Sequence, residues 1–274
     1  MNLKKDPSAS SEGAADLAAG TPCGPGAPPK NRTVVYTRTR TVGSPLKVQD
    51  SKLVALDDSN PLADHFKLLR TRLFQQTRPR GWSTIQVSGF EAADGKSLVA
   101  ANLAVSIARD ARQTVLLVDL DLRRPTLARL FGLRKPERGL ESHLLEGVPL
   151  EDVLVCPGIE KLTLLPAAGG CRQVAELTGS PAMEALVREL KAQYPDRYVL
   201  FDTPAINVCP DPLIVAEYMD ALLLVARAEH TRAEDIRAAM GLLPRDKVLG
   251  VVLNDARDQE FVSYYRYRYG YEGQ

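Results

Sequence analysis

Six short apolar runs, Thr84 to Ser88, Val115 to Leu120, Leu162 to Pro166, Tyr198 to Asp202, Ala221 to Ala226 and Val248 to Leu253, are separated by stretches of helical spacing. The clearest of these helical stretches are Ser97 to Arg109, Ala182 to Tyr194 and Ala233 to Leu243. Strands this apolar have no face to give to water and must be covered on both sides. Their alternation with helices predicts an α/β fold, a mainly parallel sheet with helices on both faces. In such sheets ligands bind beyond the carboxyl ends of the strands, and the chemistry-bearing motifs of this chain fall at those ends.

The first run, TIQVS, leads into GFEAADGKS and a long apolar helix. A strand, a turn and a helix opening on Gly95-Lys96-Ser97 make the arrangement of a P-loop NTPase. Backbone N–H groups at a helix start cradle phosphates, a lysine reaches the outer phosphates and a hydroxyl ligates Mg²⁺. The usual spacing places a glycine at position 90, where this chain has Phe90, with Gly89 one residue early. The second run ends in Asp119 and Asp121, two residues apart and so directed to the same side of an extended chain. Paired carboxylates bind hydrated Mg²⁺ or accept a proton, and without a cation they repel each other. The run YVLFD ends in Asp202, followed by Thr203-Pro204, and resembles a Walker B segment. Together these motifs point to Mg·ATP.

Composition bounds the rest. A net charge of +1 gives no global reason to expect nucleic acid as a partner. Cys23, Cys156, Cys171 and Cys209 form no C-x-x-C pair, and His65, His143 and His230 lie far apart, so a protein-only metal centre is not expected. No signal peptide or membrane-spanning stretch is evident, which predicts a cytoplasmic chain. Residues 1–50 are rich in Ser, Gly, Pro and Ala and predict a disordered tail, with a basic stretch from Lys30 to Arg40. Residues 51–80 are expected to form a linker and an amphipathic helix, with Leu62, Phe66, Leu69 and Leu73 on one face behind an Asn60-Pro61 start. Residues 81–260 form the expected nucleotide-binding domain. Residues 261–274 form a tail holding Tyr264, Tyr265, Tyr267, Tyr269 and Tyr271, five of the nine tyrosines in the chain. Such a tail reads as a sticky end, as a base-stacking patch with Arg266 and Arg268, or as a cluster of phosphate acceptors.

The ordered set NPLADHFKLLRTRL, DGKS, VLLVDLDLRRP, LFGL, GLESHLLEG, LTLLPAAG, YVLFDTPA, Asp211-Pro212, VLGVVLN and the tyrosine tail spans Asn60 to Gln274. It resembles the cytoplasmic kinase module of the bacterial tyrosine kinases (BY-kinases), which regulate capsule and exopolysaccharide export and belong to the MinD/ParA-like P-loop superfamily. The resemblance implies an ATP- and Mg²⁺-dependent protein-tyrosine autokinase. Its phosphate cradle would be Ala93, Asp94, Gly95, Lys96, Ser97 and Leu98. Lys96 and Ser97 would bind phosphates and metal, Asp121 and Asp202 would serve the metal, and Asp119 would act on the acceptor hydroxyl or the metal. Asp64, Lys67 and Arg70 occupy the family's oligomerisation motif, Glu-x-x-Arg-x-x-Arg, and imply a ring in which tail tyrosines are phosphorylated between subunits. The resemblance also implies a transmembrane polysaccharide co-polymerase on a separate chain, recruitment to the inner face of the membrane, and a cognate tyrosine phosphatase.

Two departures leave alternatives open. The family loop is typically Pro-Gly-Glu-Gly-Lys, whereas this chain has Ala92-Ala93-Asp94-Gly95-Lys96, and Lys67 replaces an arginine. A nucleotide-binding scaffold with little kinase activity is therefore the second reading. A third is a partitioning ATPase, whose loop lysine would fall where this chain has Glu91.

Overall fold

The computed structural model describes residues 40–41, 52–171, 173–193 and 197–256, all within one compact unit, Tyr36–Gln274. The tail tyrosines and the basic stretch before Arg40 lie outside the described residues.

In chain order the strands are β1 (Arg40–Thr41), β2 (Thr84–Gly89), β3 (Thr114–Asp119), β4 (Val155–Cys156), β5 (Leu162–Leu165), β6 (Arg197–Asp202), β7 (Ala221–Arg227) and β8 (Val248–Asn254). The helices are α1 (Pro61–Thr77), α2 (Lys96–Ala108), α3 (Leu127–Leu130), α4 (Leu140–Glu146), α5 (Leu150–Val153), α6 (Val174–Thr178), α7 (Pro181–Gln193), α8 (Asp211–Ala216) and α9 (Ala233–Leu242). The strands form one sheet in the order β1-β4-β5-β3-β6-β2-β7-β8. Every pairing is parallel except β4 with β5.

Alternate residues of each central strand enter two different cores. Val115 and Leu117 of β3 pack with α1 and α2, while Leu116 and Val118 pack with α6, α7 and α8. The α7 face is Met183, Leu186, Val187 and Leu190, all buried. Each contributes at most ~1.5–3 kcal/mol of transfer free energy. In α2 every residue from Val99 to Ala108 is buried, because this helix is covered by the sheet on one side and by α1 and residues 53–56 on the other. Small residues such as Ala100, Ala101 and Ala104 suit a helix enclosed in this way. Helix α1 starts where Asn60 Oδ1 accepts the Leu62 N–H at 3.0 Å, with Pro61 in the first turn.

Two elements differ from the sequence expectation. β1 lies inside the stretch expected to be disordered, and its two residues pair with the equally short β4. Leu53 and Ala55 are buried against α2, so residues 53–56 are docked on the domain. The Asn102 side chain fixes them: Oδ1 accepts the Ala55 N–H at 3.0 Å, and Nδ2 donates to the carbonyls of Lys52 (3.2 Å) and Leu98 (2.9 Å).

Candidate active site

The site lies where β2, β3 and β6 end and α2 begins. β2 is central and buried at all six positions, so the chain leaving it turns sharply to reach α2. Phe90, at the position where the common motif has glycine, is fully buried and anchors the start of the turn in the core. Gly95, the residue before α2, has φ 88°, and Ala93 has φ 67°. Position 93 therefore adopts the left-handed backbone that favours glycine, and this chain places alanine there. The Asp94 carboxylate lies inside the turn, with Oδ2 accepting the N–H groups of Phe90 (2.9 Å) and Glu91 (2.8 Å).

Asp119 and Asp202 are directly opposite each other in the β3–β6 register, and both are fully buried. Asp119 and Asp121 do lie on one side of the chain, because Leu120 and Leu122 between and after them enter the opposite core. The cation that two adjacent carboxylates require is Lys96. Its Nζ lies 3.2 Å from Asp121 Oδ2 and 3.2 Å from Ser97 Oγ. Burial alone would lower the Lys96 ammonium, but attraction by Asp202, Asp121 and Asp119 outweighs it and holds its pKa above the ordinary lysine value.

The three carboxylates differ in what they touch. Asp119 has both oxygens on backbone N–H groups, Asp121 at 3.2 Å on Oδ1, and Thr126 (3.1 Å) and Leu127 (3.0 Å) on Oδ2. Even so, burial, reinforced by repulsion from Asp202, raises it well above the usual carboxylate range. Asp121 lies past the strand end, 14% exposed, and accepts the Arg124 N–H at 3.0 Å. Neither Asp202 oxygen takes a well-formed hydrogen bond within the protein, though the Ser97 hydroxyl lies near enough to favour its charged form. Burial pushes Asp202 up to about 6, against the pull of Lys96 and of the Ser97 hydroxyl.

A buried carboxylate without donors is costly unless a cation satisfies it. The donors here are all oxygens, the Ser97 hydroxyl and the Asp121 and Asp202 carboxylates, and they fit Mg²⁺, which takes one or two carboxylates and completes its shell with water and phosphate. Among the described residues no three His, Cys, Asp or Glu side chains are placed to hold a metal ion by themselves.

Several further contacts bound the site. Arg123 Nε lies 3.3 Å from the buried Asp211 Oδ2 and ties the chain after β3 to the start of α8. Burial and the neighbouring Asp211 push the Cys209 thiol up to about 11, so it is not a ready nucleophile. Glu91 Oε1 accepts from Asn207 Nδ2 at 3.2 Å. Asp64, Lys67 and Arg70 lie elsewhere, on α1. There Lys67 pairs with Asp64 (3.0 Å) and Asp58 (3.3 Å), and Arg70 donates to the Ser106 carbonyl at 2.6 Å. Among the described residues no helix is long and apolar enough to cross a membrane.

No protein-family model matches the chain. It is 30% identical over 205 residues to the tyrosine-protein kinase YwqD of Bacillus subtilis (strain 168), spanning 74% of this chain and 85% of that protein. To the putative tyrosine-protein kinase CapB of Staphylococcus aureus it is 29% identical over 226 residues, 82% of this chain and 95% of that one. Among solved structures the chimerical protein CapA2B2 superposes with a TM-score of 0.69 at 28% identity, over 76% of this chain and 91% of the other.

Proposed function

The chain belongs to the bacterial tyrosine-kinase family, and from that premise we propose that it transfers the γ-phosphoryl group of Mg·ATP to tyrosine hydroxyls, chiefly those of its own tail, in the control of capsule or exopolysaccharide export. The observation that carries this reading is the enclosure of Lys96, at the start of α2, by three carboxylates at strand ends, of which the buried Asp202 takes no well-formed hydrogen bond within the protein.

In this reading the N–H groups of residues 93–98 and the Lys96 ammonium receive the phosphates, and Ser97 and Asp202 hold the metal, with Asp121 beside them. Bound Mg²⁺ neutralises charge on the phosphate oxygens during transfer. Asp119, whose oxygens are taken up by three N–H groups, shapes the turn that presents Asp121. Asp121, the partly exposed carboxylate of the three, orients the acceptor phenol and takes its proton as the new P–O bond forms and the β–γ bridge breaks. Arg123 and Asp211 hold the rim of the site. The acceptors are Tyr264, Tyr265, Tyr267, Tyr269 and Tyr271, modified between subunits of a ring built on α1 and reversed by a phosphatase. The chain works in the cytoplasm, brought to the membrane face by a co-polymerase on a separate chain.

Intact-mass spectrometry after incubation with Mg·ATP tests this on the full chain, a Lys96→Met variant and a chain truncated after Ser263. Additions of phosphate to the full chain alone, mapping to the tail, are expected. Nucleotide binding with no mass gain, even with the cytoplasmic segment of the membrane partner present, would replace the kinase with a nucleotide-dependent scaffold.

A further inference from the structure

The loop that receives the phosphates carries alanine where its own backbone calls for glycine. Ala93 is held at φ 67°, a region that costs an L-residue roughly a factor of ten in population. A short loop spends little time in such a conformation unless its neighbours fix it.

The neighbours that fix it come from the far ends of β7 and β8. Asp94 is fully buried. Its Oδ2 accepts the N–H groups of Phe90 and Glu91, which pins the start of the loop to its end. Its Oδ1 accepts the Thr231 hydroxyl at 2.8 Å, and Thr231 Oγ1 accepts the Arg227 N–H at 2.7 Å, so the hydroxyl is itself held in place. The Asp94 carbonyl accepts Asn254 Nδ2 at 2.9 Å. The bonds to the Asp94 carboxylate are charge-assisted, the kind that holds geometry best, and the other two are partly buried.

We propose that Asp94, clamped by Thr231 and backed by Asn254, is the positioning group that keeps this loop open to phosphate, in the role that a glycine at position 93 would otherwise fill. The inference rests on the nucleotide-binding reading above. It makes Thr231, on the turn between β7 and α9, a residue of the phosphate site that never touches phosphate. Without the clamp, Ala93 relaxes toward negative φ and the N–H groups of Gly95, Lys96 and Ser97 no longer converge.

The test is the affinity of the full chain for Mg·ADP, with melting followed in parallel. Thr231→Val keeps the size of the side chain and removes both hydrogen bonds, and should weaken binding on the order of tenfold, while Thr231→Ser retains it. Asp94→Ala should weaken binding more than Thr231→Val does. Ala93→Gly in either weakened background should recover most of the loss, because it removes the penalty the clamp was holding off. A merely structural loss would lower the melting temperature and would not be recovered by a loop glycine. Unchanged affinity in Thr231→Val, or a failed recovery by Ala93→Gly in that well-folded background, overturns the proposal. If the wild-type chain binds no Mg·ADP at all, the nucleotide reading and the clamp fall together, whereas binding without sensitivity at Thr231 removes the clamp alone.

Discussion

Asp119 and Asp202 are side by side in the register of β3 and β6, both fully buried, and of the two only Asp119 has its oxygens on well-formed hydrogen bonds. Two adjacent carboxylates in a dry sheet end store repulsion that a metal would relieve.

Burial, with repulsion from Asp121 added to it, gives Asp202→Asn a signed pH dependence. The folded-state pKa of Asp202, about 6, lies above its ordinary 3.8. The folded state therefore holds this proton more tightly than the unfolded chain does. Its stabilising contribution is complete below about pH 3.8 and is lost as pH rises through about 6. Asparagine has no such titration. Without nucleotide the variant should exceed the wild type by ~1–3 kcal/mol at alkaline pH, with the gap closing under acid conditions. Its Mg·nucleotide affinity should fall at least ~10-fold. Urea melts at both ends of the pH range check the first statement, and a destabilised variant at alkaline pH would mean that attraction to Lys96 outweighs the cost of burying the charge.

Gly95→Ala should be severe. A Cβ at Gly95 would lie 2.1 Å from Asn254 Nδ2, and φ there is 88°. Strain and displacement of Asn254 should cost ~2–3 kcal/mol, and nucleotide binding should be lost. Replacing Asn254 with glycine in the same chain makes room and should recover part of the stability, though not the part due to φ.

The five central strands are legible in the sequence because continuous apolar runs such as Val115 to Leu120 have no other economical placement; the sixth run, Val248 to Leu253, forms the edge strand β8, where Val251 and Leu253 are exposed rather than covered on both sides as expected. Lys96, Ser97 and the aspartates are legible for a related reason: strand ends and helix starts bring local motifs together. Thr231 and Asn254 are not legible, since each acts through one tertiary hydrogen bond to Asp94 and looks locally like any loop threonine or strand-end asparagine. The same holds for Asn102, which reads as a polar interruption of an apolar helix until residues 53–56 are seen docked on it. β1 and β4 are two residues each, too short for any periodicity to show.

Asn102→Ala should therefore destabilise a chain segment far from it in sequence. The substitution leaves the Ala55 N–H without its acceptor and the Lys52 carbonyl without its donor. A loss of ~2–3 kcal/mol is expected. Hydrogen exchange should accelerate first at residues 53–56, ahead of the sheet. Uniform acceleration across the domain would mean that the segment does not open as a separate unit.

Lys67 and Arg70 are both expected to serve assembly, but their contacts within the chain make them unequal probes of it. Lys67 is half-buried with its side chain 43% exposed, and its bonds to Asp58 and Asp64 are surface ion pairs, so Lys67→Ala should change stability by less than ~0.5 kcal/mol. Arg70 donates to the carbonyl of Ser106 near the end of α2, where an N–H partner is already missing, so Arg70→Ala should cost ~1–2 kcal/mol. Any fall in oligomer mass with Arg70→Ala thus mixes assembly with a loosened α1–α2 contact. Light scattering on Lys67→Ala separates them: a smaller particle with an unchanged melting temperature places the subunit interface on this face of α1. An unchanged particle from Lys67→Ala alongside a dissociated, less stable Arg70→Ala would trace the Arg70 effect to the loosened α1–α2 contact.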